Sequence, residues 1–232
     1  MLGKRWSFMQ LGVREVAKIL GVSEKSVYRW IQSGSLPAYR VQDQYRIHRA
    51  ELLEWVTTKK IPVSEEIFAE PHGEDHPGLA DALETGGIHY RVEGGDKETV
   101  LRNAVKTMRL PEGADPEFLF RVLLARESLC STGIGEGVAI PHPRSPVVLH
   151  VSQPSITLCF LENEVEFDAM DGQPVKVLFT LISPTVRGHL HLLSRLTYAL
   201  RDPEFKEAIN TQAGREQILS AARKLDGGAE KK

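Results

Sequence analysis

Ser131-Thr132-Gly133-Ile134-Gly135-Glu136-Gly137-Val138-Ala139-Ile140-Pro141-His142 is the stretch on which the reading of the larger part of this chain turns. Three glycines at alternate positions let a backbone turn tightly and present its amides, and Pro141 stiffens the approach to a single histidine. Taken alone, these residues suit an anion cradle with a fixed imidazole beside it. Nucleotide binding does not fit, because neither the GxGxxG spacing nor a Gly-Lys-Ser/Thr ending is present. Glu136 reads as a solvated loop acid, with orientation of His142 as the alternative.

Working outward, residues 97–108 carry Val100, Leu101, Ala104, Val105 and Met108 on one stripe, which predicts an amphipathic helix. Asp115-Pro116-Glu117-Phe118 supplies an N-cap, a proline at the first helical position and an acid in the first turn, opening a helix that runs to about Arg126. The same capping grammar returns at Asp202-Pro203-Glu204-Phe205. Residues 156–161 and 175–182 read as strands, the second apolar enough for a sheet centre covered on both faces. Residues 189–200, with Leu190, Leu193, Leu196 and Leu200, predict a further helix. Helices around a mixed sheet make this region α/β.

A different pattern occupies the first sixty residues. Val13, Val16, Ala17 and Leu20 recur at helical spacing before Gly21. Ser23 then caps a second helix with Val27, Trp30 and Ile31 on its apolar face and Gly34 beyond its end, so the segment reads as a helix-turn-helix. The outward side of that second helix carries Lys25, Ser26, Tyr28, Arg29 and Gln32, donors suited to phosphates and base edges in a major groove. Residues 38–41 and 45–47 predict a hairpin about Gln42-Asp43-Gln44, and residues 49–56 a third helix with Leu52, Leu53 and Trp55. This succession is a small winged arrangement.

Charge separates the two regions. The chain has 232 residues and a formal charge of −2. Residues 1–60 hold eleven Lys and Arg against five Asp and Glu, a net of +6, which leaves −8 for the remainder. A basic unit facing an anionic partner and an acidic unit with another task follow from that split. Between them, residues 61–78 contain three prolines and two glycines without a sustained period, and read as a linker. His72 and His76 with Glu74 and Asp75 could ligate a metal in principle, but a solvated acidic linker is the better reading since nothing rigid would hold the ligands. The division is therefore residues 1–60, a linker over 61–78, and residues 79–232.

Several classes fall away. No run of about eighteen apolar residues is present to span a membrane, and the opening Met1-Leu2-Gly3-Lys4-Arg5-Trp6-Ser7 has no apolar core of a secretory signal. Cys130 and Cys159, the two cysteines, form no CxxC pair and read as reduced core thiols of a cytoplasmic protein. No cofactor or metal motif occurs.

Two resemblances add to these readings. "Val-Arg-Glu-Val-Ala-Lys-Ile-Leu-Gly-Val-Ser-Glu-Lys-Ser-Val-Tyr-Arg-Trp-Ile", "Gly-Ser-Leu-Pro-Ala-Tyr-Arg", "Tyr-Arg-Ile" and "Glu-Leu-Leu-Glu-Trp" resemble the MerR/excisionase-type winged helix family over residues 9–57. That likeness implies DNA contacts from Ser26, Tyr28 and Arg29 on the recognition helix, and from Arg40 and Arg46 in the wing; Ser23 and Lys25, at the start of the same helix, join them as candidate DNA-binding residues. The tip departs from the family in being Gln-Asp-Gln, where glycine and extra arginines are usual.

The second covers residues 83–225. "Arg-Glu-Ser-Leu-Cys-Ser-Thr-Gly-Ile-Gly-Glu-Gly-Val-Ala-Ile-Pro-His", "Phe-Asp-Ala-Met-Asp-Gly-Gln-Pro-Val-Lys-Val-Leu-Phe" and "His-Leu-His-Leu-Leu-Ser-Arg-Leu" resemble the type 2 enzyme IIA domain (fructose, mannitol and nitrogen-regulatory class) of the bacterial phosphoenolpyruvate-dependent phosphotransferase system. The resemblance implies a phosphoryl carrier in which His142 is phosphorylated, Arg126 is the arginine near it and His189 the second active-site histidine, while His191 matches no catalytic position. A neutral imidazole, with an ordinary pKa of about 6.5, offers a nucleophilic nitrogen for such transfer. The implied donor is a histidine-containing phosphocarrier protein, with an enzyme IIB domain as an acceptor in the transport alternative. Pro143 stands where the family has glycine or another small residue. Together the two likenesses imply a cytoplasmic regulator coupling phosphorylation of His142 to DNA binding.

Overall fold

In the basic unit, helix α1 (Val13–Leu20) buries Val13, Val16, Ala17 and Leu20, the stripe its spacing predicts. Its start is closed by Glu15, whose Oε2 accepts the Gly12 amide at 2.7 Å. Helix α2 (Glu24–Gln32) begins at Ser23, whose hydroxyl accepts the Ser26 amide at 3.2 Å. Val27 is buried, and Trp30 packs on Trp55 with ring centroids 5.0 Å apart. The expected hairpin forms from β2 (Tyr39–Val41) and β3 (Gln44–His48). A third strand, β1 (Gln10–Gly12), pairs with the other side of β3. Three residues are too few for a strand period to register in sequence, so β1 went unpredicted.

The structure, a computed structural model, describes residues 10–41, 44–48, 51, 52, 55, 56, 59, 76–111, 114–143, 151 and 153–229. Of the expected third helix, Glu51, Leu52, Trp55 and Val56 are helical; its other residues, the tip residues Gln42 and Asp43, and linker residues 61–75 lie outside the described residues. The chain divides into two compact units, Met1–His72 and Gly73–Lys232.

The second unit is a five-stranded mixed sheet flanked by helices. In chain order its elements are α3 (Leu79–Gly86), β4 (Ile88–Val92), α4 (Lys97–Thr107), α5 (Pro116–Leu129), β5 (Gly133–Gly135), β6 (Val138–Ala139), β7 (Ser155–Val165), β8 (Val175–Ile182), α6 (Val186–Ala199), α7 (Pro203–Asn210) and α8 (Arg215–Ala229). The strand order is β4-β7-β8-β6-β5. β7 and β8 are antiparallel at the centre, while β4 runs parallel to β7 and β6 parallel to β8. Seven successive buried residues open β7 and six close β8, as a sheet covered on both faces requires. Val100, Leu101, Ala104, Leu119, Phe120 and Leu123 cover one face from α4 and α5. Asp96, Asp115 and Asp202 cap α4, α5 and α7 through their carboxylates. At Gly86 the chain passes so close to β7 that a Cβ would sit 2.3 Å from the Ile156 carbonyl oxygen, and only glycine fits. Among the described residues no helix is long and apolar enough to cross a membrane.

Candidate functional site

Two neighbouring parallel strands bring the predicted histidines together. β6 leads through Ile140 and Pro141 to His142, and β8 leads through Ser183 and Pro184 into α6, which carries His189 in its first turn. Both residues thus emerge at the carboxyl ends of adjacent parallel strands, where open α/β sheets place their sites. The Leu181 amide donates to the Pro141 carbonyl at 3.0 Å and ties the His142 segment to β8. Thr185 caps α6, its hydroxyl accepting the Gly188 amide at 3.0 Å, so α6 starts three residues before the predicted 189–200. Gly188 within Val-Arg-Gly-His hides that start from a sequence reading.

The two imidazoles lie 5.1 Å apart between centroids and are inclined at 47°. Both are buried, His142 at 3% and His189 at 4% exposure. His142 Nδ1 lies 2.8 Å from the carbonyl oxygen of Ile140. A carbonyl only accepts, so Nδ1 carries a proton, and in the neutral form of the ring the lone pair is on Nε2.

Arg126 occupies the last turn of α5 and is 8% exposed. Its Nη1 donates to the Cys130 carbonyl at 2.8 Å, satisfying an oxygen at the end of the helix. His191, two residues beyond His189, donates from Nε2 to the Pro77 carbonyl at 3.1 Å and packs on His76 with centroids 5.2 Å apart. It sits where the chain enters the second unit. Among the described residues no cluster of His, Cys, Asp and Glu has the arrangement of a metal site.

The glycine-rich stretch is a hairpin, with three of its amides taken up inside the fold. β5 and β6 pair antiparallel around Glu136 and Gly137, whose φ values of 56° and 75° are those of a two-residue turn with both central residues left-handed. Three amides are engaged: Thr132 with Glu127 at 2.9 Å, Gly133 with the Ser131 hydroxyl at 3.0 Å and Glu136 with Asp171 at 2.8 Å. The Glu136 side chain pairs with Lys206 of α7.

Glu127 went unremarked in the sequence. It is 3% exposed, and its Oε2 accepts from both the amide and the hydroxyl of Thr132, at 2.9 and 2.5 Å. Its other oxygen faces Lys97 Nζ at 3.2 Å, and Lys97 also reaches Asp168 at 2.8 Å. Burial works against the Lys97 ammonium, but the bond to Asp168 and the pairing with Glu127 together raise its pKa above the ordinary value. The Lys97 bond holds the Asp168 carboxyl below the usual carboxylate range. The missed signal is periodic: Leu119, Phe120, Leu123, Arg126 and Glu127 form the buried stripe of α5, so an acid stands on an apolar face.

In the basic unit the predicted DNA-facing residues divide. Lys25, Tyr28 and Arg29 are exposed along α2, three and four residues apart on one side. Ser23 and Ser26 spend their hydroxyls on each other at 3.0 Å, within the helix cap. Tyr28 meets Tyr45 edge-on with centroids 6.1 Å apart, joining α2 to the small sheet. Arg40 pairs with Tyr45 across the hairpin and Arg46 with Tyr39, which puts the two arginines on opposite faces. Arg46 also donates to Gln44 at 3.1 Å.

Comparisons with known proteins agree with both halves. Residues 82–224 match the family model for the phosphoenolpyruvate-dependent sugar phosphotransferase system EIIA 2 domain, and residues 11–60 match a helix-turn-helix domain model. The chain is 34% identical over 161 residues to the nitrogen regulatory protein of Pseudomonas aeruginosa, which covers 65% of this chain and 97% of that protein. It is 30% identical over 142 residues to the nitrogen regulatory protein of Escherichia coli, covering 60% of this chain and 83% of the relative. Nitrogen regulatory protein IIA-Ntr from Neisseria meningitidis superposes with a TM-score of 0.54 at 30% identity, over 62% of this chain and 98% of that one. The fold, the paired histidines and these matches place the chain in the phosphotransferase system EIIA 2 family, as a nitrogen-regulatory-like member with a helix-turn-helix domain at its N-terminal side.

Proposed function

We propose that this protein is a cytoplasmic regulator that accepts a phosphoryl group on His142 Nε2 from a histidine-containing phosphocarrier and couples that event to DNA binding by its helix-turn-helix unit. One observation carries the reading: the His142 and His189 rings face each other while the Ile140 carbonyl holds the proton on His142 Nδ1. The Nε2 lone pair attacks phosphorus as the nitrogen–phosphorus bond of the donor breaks, and the donor imidazole leaves with that electron pair. No proton has to move.

His189 supplies a hydrogen bond to a phosphoryl oxygen, and the first turn of α6 adds the positive end of a helix dipole. Arg126 neutralises equatorial oxygens. Burial of both rings keeps water from the phosphohistidine. In the basic unit, Lys25, Tyr28 and Arg29 face the major groove, with Ser23 and Ser26 at the helix start and Arg40 and Arg46 on the backbone.

The regulatory reading draws on the helix-turn-helix match and on the nitrogen-regulatory names of the relatives. A transport reading, in which phosphate passes to an enzyme IIB domain, draws on 28% identity over 151 residues to the fructose-specific EIIABC component of Bacillus subtilis, of which this chain covers 23%. The test is labelling with phosphoenolpyruvate, enzyme I and the phosphocarrier, alongside capture of genomic DNA at low salt. Wild type takes label and His142→Ala takes none, and wild type retains DNA. Equal labelling of His142→Ala overturns the site. Absence of DNA retention, with label passing on to an added IIB domain, replaces the regulatory reading by the transport one.

A further inference from the structure

We infer that Glu127 is a positioning residue for His142, acting through Thr132 and Ile140 to hold the imidazole tautomer whose lone pair is on Nε2; this rests on the proposed role of His142. A continuous series of hydrogen bonds joins them. Glu127 Oε2 accepts from the Thr132 amide at 2.9 Å and from its hydroxyl at 2.5 Å. The Thr132 carbonyl accepts the Ile140 amide at 3.0 Å, and the Ile140 carbonyl accepts His142 Nδ1–H at 2.8 Å.

Each link limits the next. Thr132 follows the end of α5 at Leu129, where the chain turns toward β5, and its two bonds to one carboxylate oxygen fix its peptide planes. The Thr132 to Ile140 bond extends the β5–β6 pairing by one step beyond Gly133 and Ala139. Ile140 precedes a proline and is confined to extended backbone. On its far side, Pro141 is clamped by the Leu181 amide at 3.0 Å. The carbonyl that chooses the proton position on His142 is thereby held from both directions.

Stability alone does not account for a carboxylate at this place. Glu127 is 3% exposed, and an apolar side chain of similar volume would avoid the cost of burying its charge. What an apolar residue cannot supply is direction. A carboxylate presents one oxygen to two Thr132 donors and the other to Lys97, which itself lies 5.4 Å from the Phe167 ring centre and bonds Asp168. Phe167 in turn accepts the Ser131 hydroxyl at its carbonyl. The charge network therefore encloses the strand start that governs His142, as residues outside a site commonly orient the ones within it.

The experiment uses the full chain with Glu127→Ala, Glu127→Gln and Thr132→Val, read in two ways. Nitrogen-15 imidazole correlation spectra report the His142 tautomer without any donor, and phosphotransfer from the phosphocarrier reports the initial rate. Wild type shows the Nδ1–H form. Glu127→Ala shows a mixture of tautomers with phosphotransfer about tenfold slower, in the range seen when orienting groups around a reactive ligand are lost. Glu127→Gln keeps an oxygen acceptor for both Thr132 donors and restores most of the rate and the Nδ1–H form. Thr132→Val removes only the hydroxyl link and falls between, which keeps the test decisive if Glu127→Ala does not fold. Wild-type tautomer and rate in folded Glu127→Ala, or in folded Thr132→Val where the alanine variant is unfolded, overturn the assignment. A tautomer change in Glu127→Ala, with wild type taking no label, confirms the positioning and overturns the phosphoacceptor role instead.

Discussion

Cys159 stands in the middle of β7 with no exposed surface, its sulfur 3.6 Å from the Thr107 hydroxyl. Burial pushes its thiol up from 9.0 to about 11, and the Thr107 contact offsets only part of that. The folded chain therefore keeps a proton that the unfolded chain releases between pH 9.0 and about 11. Stability from this group is fully present below the lower value and is lost as pH rises through the upper one, by at most about 3 kcal/mol. Urea unfolding followed across that interval should show a decline that Cys159→Ala lacks. Cys130, read from sequence as a core thiol, is instead exposed just beyond α5, where the chain leaves the helix, and has no such protection. An alkylating reagent at neutral pH should modify one thiol in the native protein and two after denaturation. Rapid native modification of both would contradict the burial.

Helix α3 shows what one element can owe to another far away in sequence. Gly78 has no side chain with which to cap it, so Leu79 and Ala80 give their amides to the two carboxylate oxygens of Asp226 on α8, each at 2.9 Å. Arg195 of α6 stands 3.6 Å from the same carboxylate. Asp226→Ala should cost about 1–2 kcal/mol, the range for a lost N-cap, visible as a lower urea midpoint with an unchanged slope. Such a cap is invisible in sequence because its partners lie 147 and 146 positions apart. Local capping is legible: Asp115, Asp202 and Ser23 each precede their helix and each does cap it, and Asp96 caps α4 in the same way. The apolar run of β8 gave its bounds, and β7 extends the predicted 156–161 at both ends. What stayed hidden was β1, α3, β4, the β5–β6 hairpin, the start of α6 and the whole of α8. For the site, sequence supplied His142 and His189 as residue types in a family-like pattern. Their meeting depends on β6 and β8 lying side by side, and Glu127 lies one residue past the expected helix end at Arg126, in a helix that continues to Leu129.

For the whole molecule, the governing quantity is the division of charge, +6 over residues 1–60 against −8 over the rest. Each cation that neutralises a DNA phosphate releases counterions, and the logarithm of affinity then falls with the logarithm of salt by about 0.9 per contact. If Lys25 and Arg29 make such contacts, Lys25→Ala and Arg29→Ala should each flatten that dependence by about one contact and weaken all DNA sequences alike. The proposed phosphorylation of His142 would add a charge near −2 to the acidic unit. Acting through space, that charge is screened beyond about 8 Å at physiological salt and reaches much farther in dilute buffer. The expected result is weaker DNA binding by the phosphorylated protein at low salt, with the difference shrinking as salt rises. Fluorescence anisotropy on one DNA over a salt series, for wild type with and without phosphoryl donor and for His142→Ala, measures it. A difference that persists undiminished at high salt would exclude the through-space charge effect and require a change of structure passed between the units. Identical binding by phosphorylated and unphosphorylated protein at the lowest salt would sever DNA binding from His142 altogether.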